Sequence, residues 1–193
     1  MNRAHALICS SRWWARTVAR DLLPWGLSRL QLGDDVLEIG PGFGATTAVL
    51  AERAPRLTVL ELDPGYCARL QRRLDGRVQV VQGSATEMPF PDDRFSAVLA
   101  FTMLHHVPAA ELQDRLLAEA ARVLRPGGVF AGTDSLGIGR TFKLLHVRDT
   151  LVPVAPDDLP RRIERAGLSE PRVETAGSSF RFRARRAPSM ASA

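Results

Sequence analysis

Short apolar runs alternate along the chain with segments whose apolar residues recur at helical spacing. Residues 36–39, 57–62, 78–82, 95–101 and 129–134 read as strands, and 45–53, 66–74 and 109–124 as helices. Residues 95–101 are nearly all apolar, as suits a central parallel strand buried on both faces. The clearest helical stripe is Leu112, Leu116, Ala120 and Val123, stopped by Arg125-Pro126-Gly127-Gly128. Asp63-Pro64 supplies an N-cap and a first-turn proline, and Pro156-Asp157-Asp158 caps a further helix running to Arg165. Residues 11–31 read as a helix or two broken at Pro24, with Trp13, Trp14, Val18, Leu22 and Leu23 at helical spacing. Residues 172–175 and 179–184 read as two late strands, the second alternating as Phe180-Arg181-Phe182-Arg183. Residues 135–155 are less regular, and those after Arg186 read as a frayed tail.

Strand and helix alternate five times. That predicts a Rossmann-like, doubly wound α/β fold. The expected sheet is mostly parallel and seven-stranded, with a late antiparallel strand and helices on both faces. Ligand binds at the carboxyl ends of such strands. No internal repeat or linker divides the chain, so 1–193 reads as a single domain.

Composition changes this picture little. With 193 residues, 45% hydrophobic and 24% charged, the chain has the make-up of an ordinary globular protein. No apolar run approaches a membrane span, and the N-terminal apolar stretch is too short for a signal peptide. Cys9 and Cys67 have no motif spacing and read as thiols of a reducing cytoplasm. The net charge of +5 and pI near 10.4 come almost wholly from arginine, Lys143 being the single lysine. Most arginines stand singly among acids and only 181, 183, 185 and 186 cluster, a pattern of solvated surfaces rather than of nucleic-acid binding.

The chemistry gathers at Glu38-Ile39-Gly40-Pro41-Gly42-Phe43-Gly44-Ala45. Alternate glycines let the backbone take positive φ and approach a ligand closely. The following helix points its first N–H groups at the same place. The stretch also fits the dinucleotide pattern through Gly40, Gly42 and Ala45. Glu61 closes the second strand at the spacing of a ribose-binding acid, about 20 residues after the first glycine.

Four pieces in order resemble a class I S-adenosylmethionine-dependent methyltransferase of the small-molecule type. They are Leu37-Glu38-Ile39-Gly40-Pro41-Gly42-Phe43-Gly44, Glu61, Gly83-Ser84-Ala85-Thr86-Glu87-Met88-Pro89-Phe90 and Val123-Leu124-Arg125-Pro126-Gly127-Gly128-Val129. The resemblance implies S-adenosylmethionine as cofactor, a small-molecule acceptor, no metal, no nucleic-acid partner and no membrane span. It also implies a division of labour: 1–33 as a helical lid, 34–134 as the cofactor-binding core, and 135–193 as the acceptor side with the last two strands.

On that resemblance, Gly40, Gly42 and Gly44 run under the amino-acid end of the cofactor. Glu38 holds its ammonium, or else fixes the loop. Glu61 takes the ribose hydroxyls and Leu62 packs on the adenine. Ser84 stands where many relatives have an aspartate for the adenine amino group, and the Ala85 N–H is a second donor there. Ala100, Phe101 and Thr102 lie beside the methionine part, where an aromatic gains about 0.5–2 kcal/mol against a sulfonium. His105 is the candidate base if the acceptor loses a proton, with His106 behind it and His146 and Asp149 further on. Ser96, where an aspartate often stands, is read as structural.

Three rivals share parts of the pattern. An NAD(P)-dependent oxidoreductase shares the turn and the acid, but the chain has no Tyr-x-x-x-Lys pair, Tyr66 being the single tyrosine. An RNA adenine dimethylase shares Glu-Ile-Gly-Pro-Gly, but would show Asn-Leu-Pro-aromatic where this chain has Phe101-Thr102-Met103-Leu104. A cofactor-binding protein without catalysis is the third.

Overall fold

The computed structural model describes residues 2–74, 76–137 and 150–188. Its strands are β1 (Asp35–Ile39), β2 (Arg56–Glu61), β3 (Gln79–Gln82), β4 (Phe95–Phe101), β5 (Leu124–Ser135), β6 (Leu168–Ala176) and β7 (Ser179–Arg186). They form one sheet in the order β3-β2-β1-β4-β5-β7-β6. Strand β7 pairs antiparallel with both β5 and β6, and the other pairings are parallel. The order reverses between β1 and β4, so the crevice for a ligand opens outside the carboxyl ends of those two strands.

The helices are α1 (Arg3–Cys9), α2 (Arg12–Thr17), α3 (Leu23–Gly26), α4 (Ala45–Leu50), α5 (Pro64–Leu74), α6 (Ala110–Val123) and α7 (Leu159–Arg165). Strand alternation sends successive side chains to opposite faces and so divides the core in two. Ala97, Leu99 and Phe101 of β4 pack with Val18 and Leu23 of the N-terminal helices and Leu70 of α5. Val98 and Ala100 pack on the other face with Leu116, Leu117 and Ala120 of α6, Ile163 of α7 and Phe180 and Phe182 of β7.

The N-terminal segment is more helical than its sequence pattern suggests. Pro24 does not break it, because a π-helical turn over Val18–Leu22 comes first. There the Leu23 N–H bonds Val18 O, an i→i−5 contact that widens the turn ahead of a proline with no N–H to give. Helix α1 lies ahead of the periodic residues read at 11–31, within the 1–33 segment read as helical. Strand β5 starts at Leu124, five residues early, because its pairing with β4 slips between Phe95 and Ala97 and absorbs Arg125–Gly128. Strand β6 likewise begins earlier, at Leu168, with a slip between Ser169 and Arg172. Ser96 ties the N-terminal loop to β1, donating to Leu32 O or Asp35 O and accepting from the Asp35 N–H.

Candidate active site

A cleft of about 610 Å³ opens at the carboxyl ends of β1, β4 and β5. The glycine turn forms its floor through Gly40, Pro41, Gly42 and Phe43. All three turn glycines have positive φ, at 63°, 51° and 74° for Gly40, Gly42 and Gly44. Space above Gly42 is open, with no atom within 4 Å of where a Cβ would stand, whereas a Cβ on Gly44 would meet Leu70 at 2.6 Å. The first leaves backbone bare to a ligand, and the second lets α4 start against α5.

Phe43 does not close the cleft. Its ring lies edge-on to Tyr66 at 5.0 Å and under Arg69 at 4.9 Å. The roof comes from the N-terminal helices through Ile8, Trp14, Thr17, Val18, Leu22 and Trp25. At the far wall stand Phe101, Thr102, Met103, His105 and His106, with Ser135, Ala176 and Ser179 beyond them. Phe101 faces the N-terminal helices, where a Cβ on Gly26 would meet its ring at 3.0 Å. Thr102 takes φ 51°, a left-handed conformation costly for a β-branched residue and held here by its N–H bond to Thr133 O at 2.7 Å.

Glu61 closes β2 beneath the turn. Its Oε2 accepts from the Gly42 N–H and its Oε1 from the Asp63 N–H, both at 3.0 Å. An ionised carboxylate has about four acceptor positions, so two remain for a diol. Leu62 beside it is 69% exposed, an apolar surface that a flat ring would cover. Ser84 turns back on its own loop: its hydroxyl contacts Thr86 Oγ1 at 2.8 Å and accepts from the Thr86 N–H at 3.2 Å. Ala85 is half-buried beside it.

Glu38 is placed differently from an ammonium holder. It is 1% exposed and does not line the cleft; its two oxygens accept from the hydroxyls of Thr46 and Thr47, the latter at 2.7 Å. The pleat of β1 aims it at the first turn of α4. Burial pushes its carboxyl up to about 7 from an ordinary 4.5, against the pull of the two hydroxyl donors. The native state therefore holds a proton that the unfolded chain releases. Its stabilisation is fully present below about 4.5 and is lost as pH rises toward about 7. In Glu38→Gln that loss is absent. The variant should gain on the wild type across this window by up to about 3 kcal/mol, then run parallel to it. Urea unfolding at a series of pH values checks this, and a pH-independent difference would refute it.

His105 is buried at the end of β4, in the 3₁₀ turn Leu104–His106. Asp134, buried on β5, holds it twice: Oδ2 accepts the His105 N–H at 3.0 Å, and Oδ1 contacts the ring Nδ1. The His105 carbonyl accepts from the Val152 N–H at 2.8 Å, and Gln113 of α6 donates to Leu104 O and Val152 O. A carboxylate only accepts, so Nδ1 carries the proton and the basic nitrogen of the neutral ring is Nε2. His106 stacks on His105 at 4.2 Å and its Nδ1 lies 3.2 Å from Thr150 O. His146 and Asp149 lie outside the described residues.

The sequence reading missed two residues here. Asp134 is one. Asp21 is the other: it sits on the π turn and is the sole carboxylate among the described residues that line the cleft. Among the described residues, no group of acids, histidines and cysteines could hold a metal ion, and no helix is long and apolar enough to cross a membrane.

Strand order and the glycine turn together define a doubly wound α/β protein whose ligand crevice opens at the carboxyl ends of β1 and β4. A methyltransferase domain family matches residues 37–132. The chain belongs to the class I S-adenosylmethionine-dependent methyltransferases. It is 40% identical over 108 residues to the fatty-acid O-methyltransferase of Mycolicibacterium smegmatis, covering 53% of this chain and 38% of that protein. It is 48% identical over 160 residues to ribosomal RNA small subunit methyltransferase A of Cupriavidus taiwanensis, covering 70% of this chain and 55% of that one. The chain thus spans less than two thirds of the length of these relatives. Phosphoethanolamine N-methyltransferase 2 of Haemonchus contortus, solved with S-adenosyl-L-methionine, shares the fold with a TM-score of 0.74 at 16% identity, over 90% of this chain and 53% of that one.

Proposed function

We propose that this chain transfers the methyl group of S-adenosylmethionine to an apolar small-molecule acceptor. The observation that carries this reading is one continuous cleft, with the glycine turn at one end, the His105–Asp134 pair at the other, and walls of Ile8, Trp14, Val18, Trp25 and Phe101. Such a space accepts an apolar body and presents the His105 imidazole to it.

The residues present fit the cofactor. Glu61 takes the ribose hydroxyls, Leu62 covers the adenine, and the Ala85 N–H serves the ring edge where the Ser84 hydroxyl is engaged in its own turn. Gly40, Gly42 and Gly44 make room for the amino-acid tail. Asp21 meets its ammonium, the part that Glu38 gives up by binding two threonines. When bound, the cofactor supplies a methyl group activated by sulfonium. The chain contributes alignment and exclusion of water. His105 accepts the acceptor's proton as the new bond to the methyl forms.

The identity to a ribosomal RNA methyltransferase favours a second reading, RNA as acceptor. Against it stand the apolar roof and the β4 exit Phe101-Thr102-Met103-Leu104. Calorimetry should show binding of S-adenosylhomocysteine and none of NADH. Labelled-methyl transfer should favour apolar hydroxyl compounds over ribosomal RNA. NADH binding, or label going to RNA alone, would sink the proposal. Leu62→Ala should raise the Kd for S-adenosylhomocysteine about tenfold, because the adenine then has less apolar surface to cover. Its melting temperature should stay unchanged, because the side chain is mostly exposed.

A further inference from the structure

We propose that the outer surface of α1 and α2 docks on an anionic lipid bilayer, with the cleft mouth facing the membrane. Charge is the first observation. Residues 1–20 hold four arginines and no acid, so four of the five net positive charges of the chain lie in this short stretch. The C-terminal arginines that stand out in the sequence are different: Arg181 pairs with Glu174 at 2.5 Å and Arg186 with Asp93 at 2.5 Å. Arg12, Arg16 and Arg20 are exposed, and their side chains make no hydrogen bond or ion pair with any described residue. They recur at every fourth position, which aligns them along one side of the helical stretch.

Exposed apolar surface is the second observation. The described residues include three exposed large hydrophobic side chains, and two of them, Leu7 at 72% and Trp13 at 66%, belong to this surface. The third, Leu62, lies at the nucleoside end. Arginine beside exposed tryptophan and leucine is the make-up of a helix that lies in a lipid interface. A nucleic-acid backbone would satisfy the arginines but leave Leu7 without a partner. Position is the third observation: Ile8, Cys9, Trp14 and Thr17, the neighbours of these residues, line the roof of the cleft. An apolar molecule leaving the bilayer would meet that roof first.

The proposal rests on the charge and exposure of these helices, not on methyl transfer, so it is tested without cofactor. The full chain is sedimented with phosphatidylcholine vesicles with and without added phosphatidylglycerol. Binding is expected to the anionic vesicles alone and to fall as salt is raised. The triple variant R12Q/R16Q/R20Q should lower the partition coefficient on the order of 100-fold, at about fivefold per arginine. Trp13→Ala should lower it about tenfold. Thermal melting shows that the variants stay folded, since all four side chains are exposed. Failure to bind anionic vesicles at low salt, or a triple variant that binds as the wild type does, would overturn the proposal. Retention by ribosomal RNA without vesicle binding would assign the surface to nucleic acid and overturn it equally.

Discussion

Replacing Glu61 with alanine is expected to raise the Kd for S-adenosylhomocysteine between about 100- and 10,000-fold. A hydrogen bond to a charged group is worth about 1.5–3 kcal/mol. On the proposed reading the ribose makes two of them with this carboxylate. The substitution acts a second time through the protein. Glu61 is the acceptor for the Gly42 N–H, so its loss unties the glycine turn from β2 at the point where backbone meets ligand. It also releases the Asp63 N–H that opens the connection to α5. Glu61→Gln keeps one carbonyl oxygen and loses the charge, and should fall between alanine and wild type. Calorimetry gives the affinities, and thermal melting separates a loosened turn from an unfolded chain. If Glu61→Ala bound S-adenosylhomocysteine as the wild type does, ribose recognition by Glu61 would be wrong.

The turn and its acid were legible because they depend on local spacing. Glycines at alternate positions demand a particular backbone whatever surrounds them, and Gly40, Gly42 and Gly44 all have positive φ. A residue at the end of a strand stays at the end of the sheet, so Glu61 could be placed from the length of one apolar run. The direction of Glu38 was harder. Strand period places it opposite to Leu37 and Ile39, but which face carries α4 is a property of the assembled sheet. The threonines that take its oxygens, Thr46 and Thr47, were visible as helix residues and not as partners.

Asp134 shows the same limit over a longer distance. It lies 29 residues from His105, and only strand register joins them. Parallel pairing of β4 with β5 sets Phe101 opposite Thr133, so the turn that follows β4 meets the last residues of β5. An acid at the end of the fifth strand was a readable signal. The shift absorbed at Arg125–Gly128 hid the register that gives it meaning. Asp21 was unreadable for another reason: it sits on a π turn, where the extra residue rotates the following side chains away from their expected helical positions.

His105→Gln is expected to lower kcat by about 10²- to 10⁴-fold, the usual worth of a positioned general base, with the acceptor that the labelled-methyl screen returns. The Kd for S-adenosylhomocysteine should stay within about twofold, because on the proposed reading the ring serves the acceptor and not the nucleoside. Asp134 acts through the ring. As the acceptor for Nδ1–H it holds the tautomer whose basic atom is Nε2, and as the acceptor for the His105 N–H it fixes the turn. Asp134→Asn can offer the ring an amide in place of a carboxylate, which favours the opposite tautomer and removes the charge that stabilises a protonated ring. Its kcat should therefore fall as well, while KM for the acceptor changes little. The split between kcat and binding distinguishes a base from a merely structural ring: loss of a structural ring would loosen the turn and weaken S-adenosylhomocysteine and acceptor binding along with the rate, whereas loss of a base lowers kcat alone. A glutamine variant that kept its rate would remove His105 from the chemistry and leave the cleft to work by alignment alone, as it could for an acceptor that attacks without losing a proton.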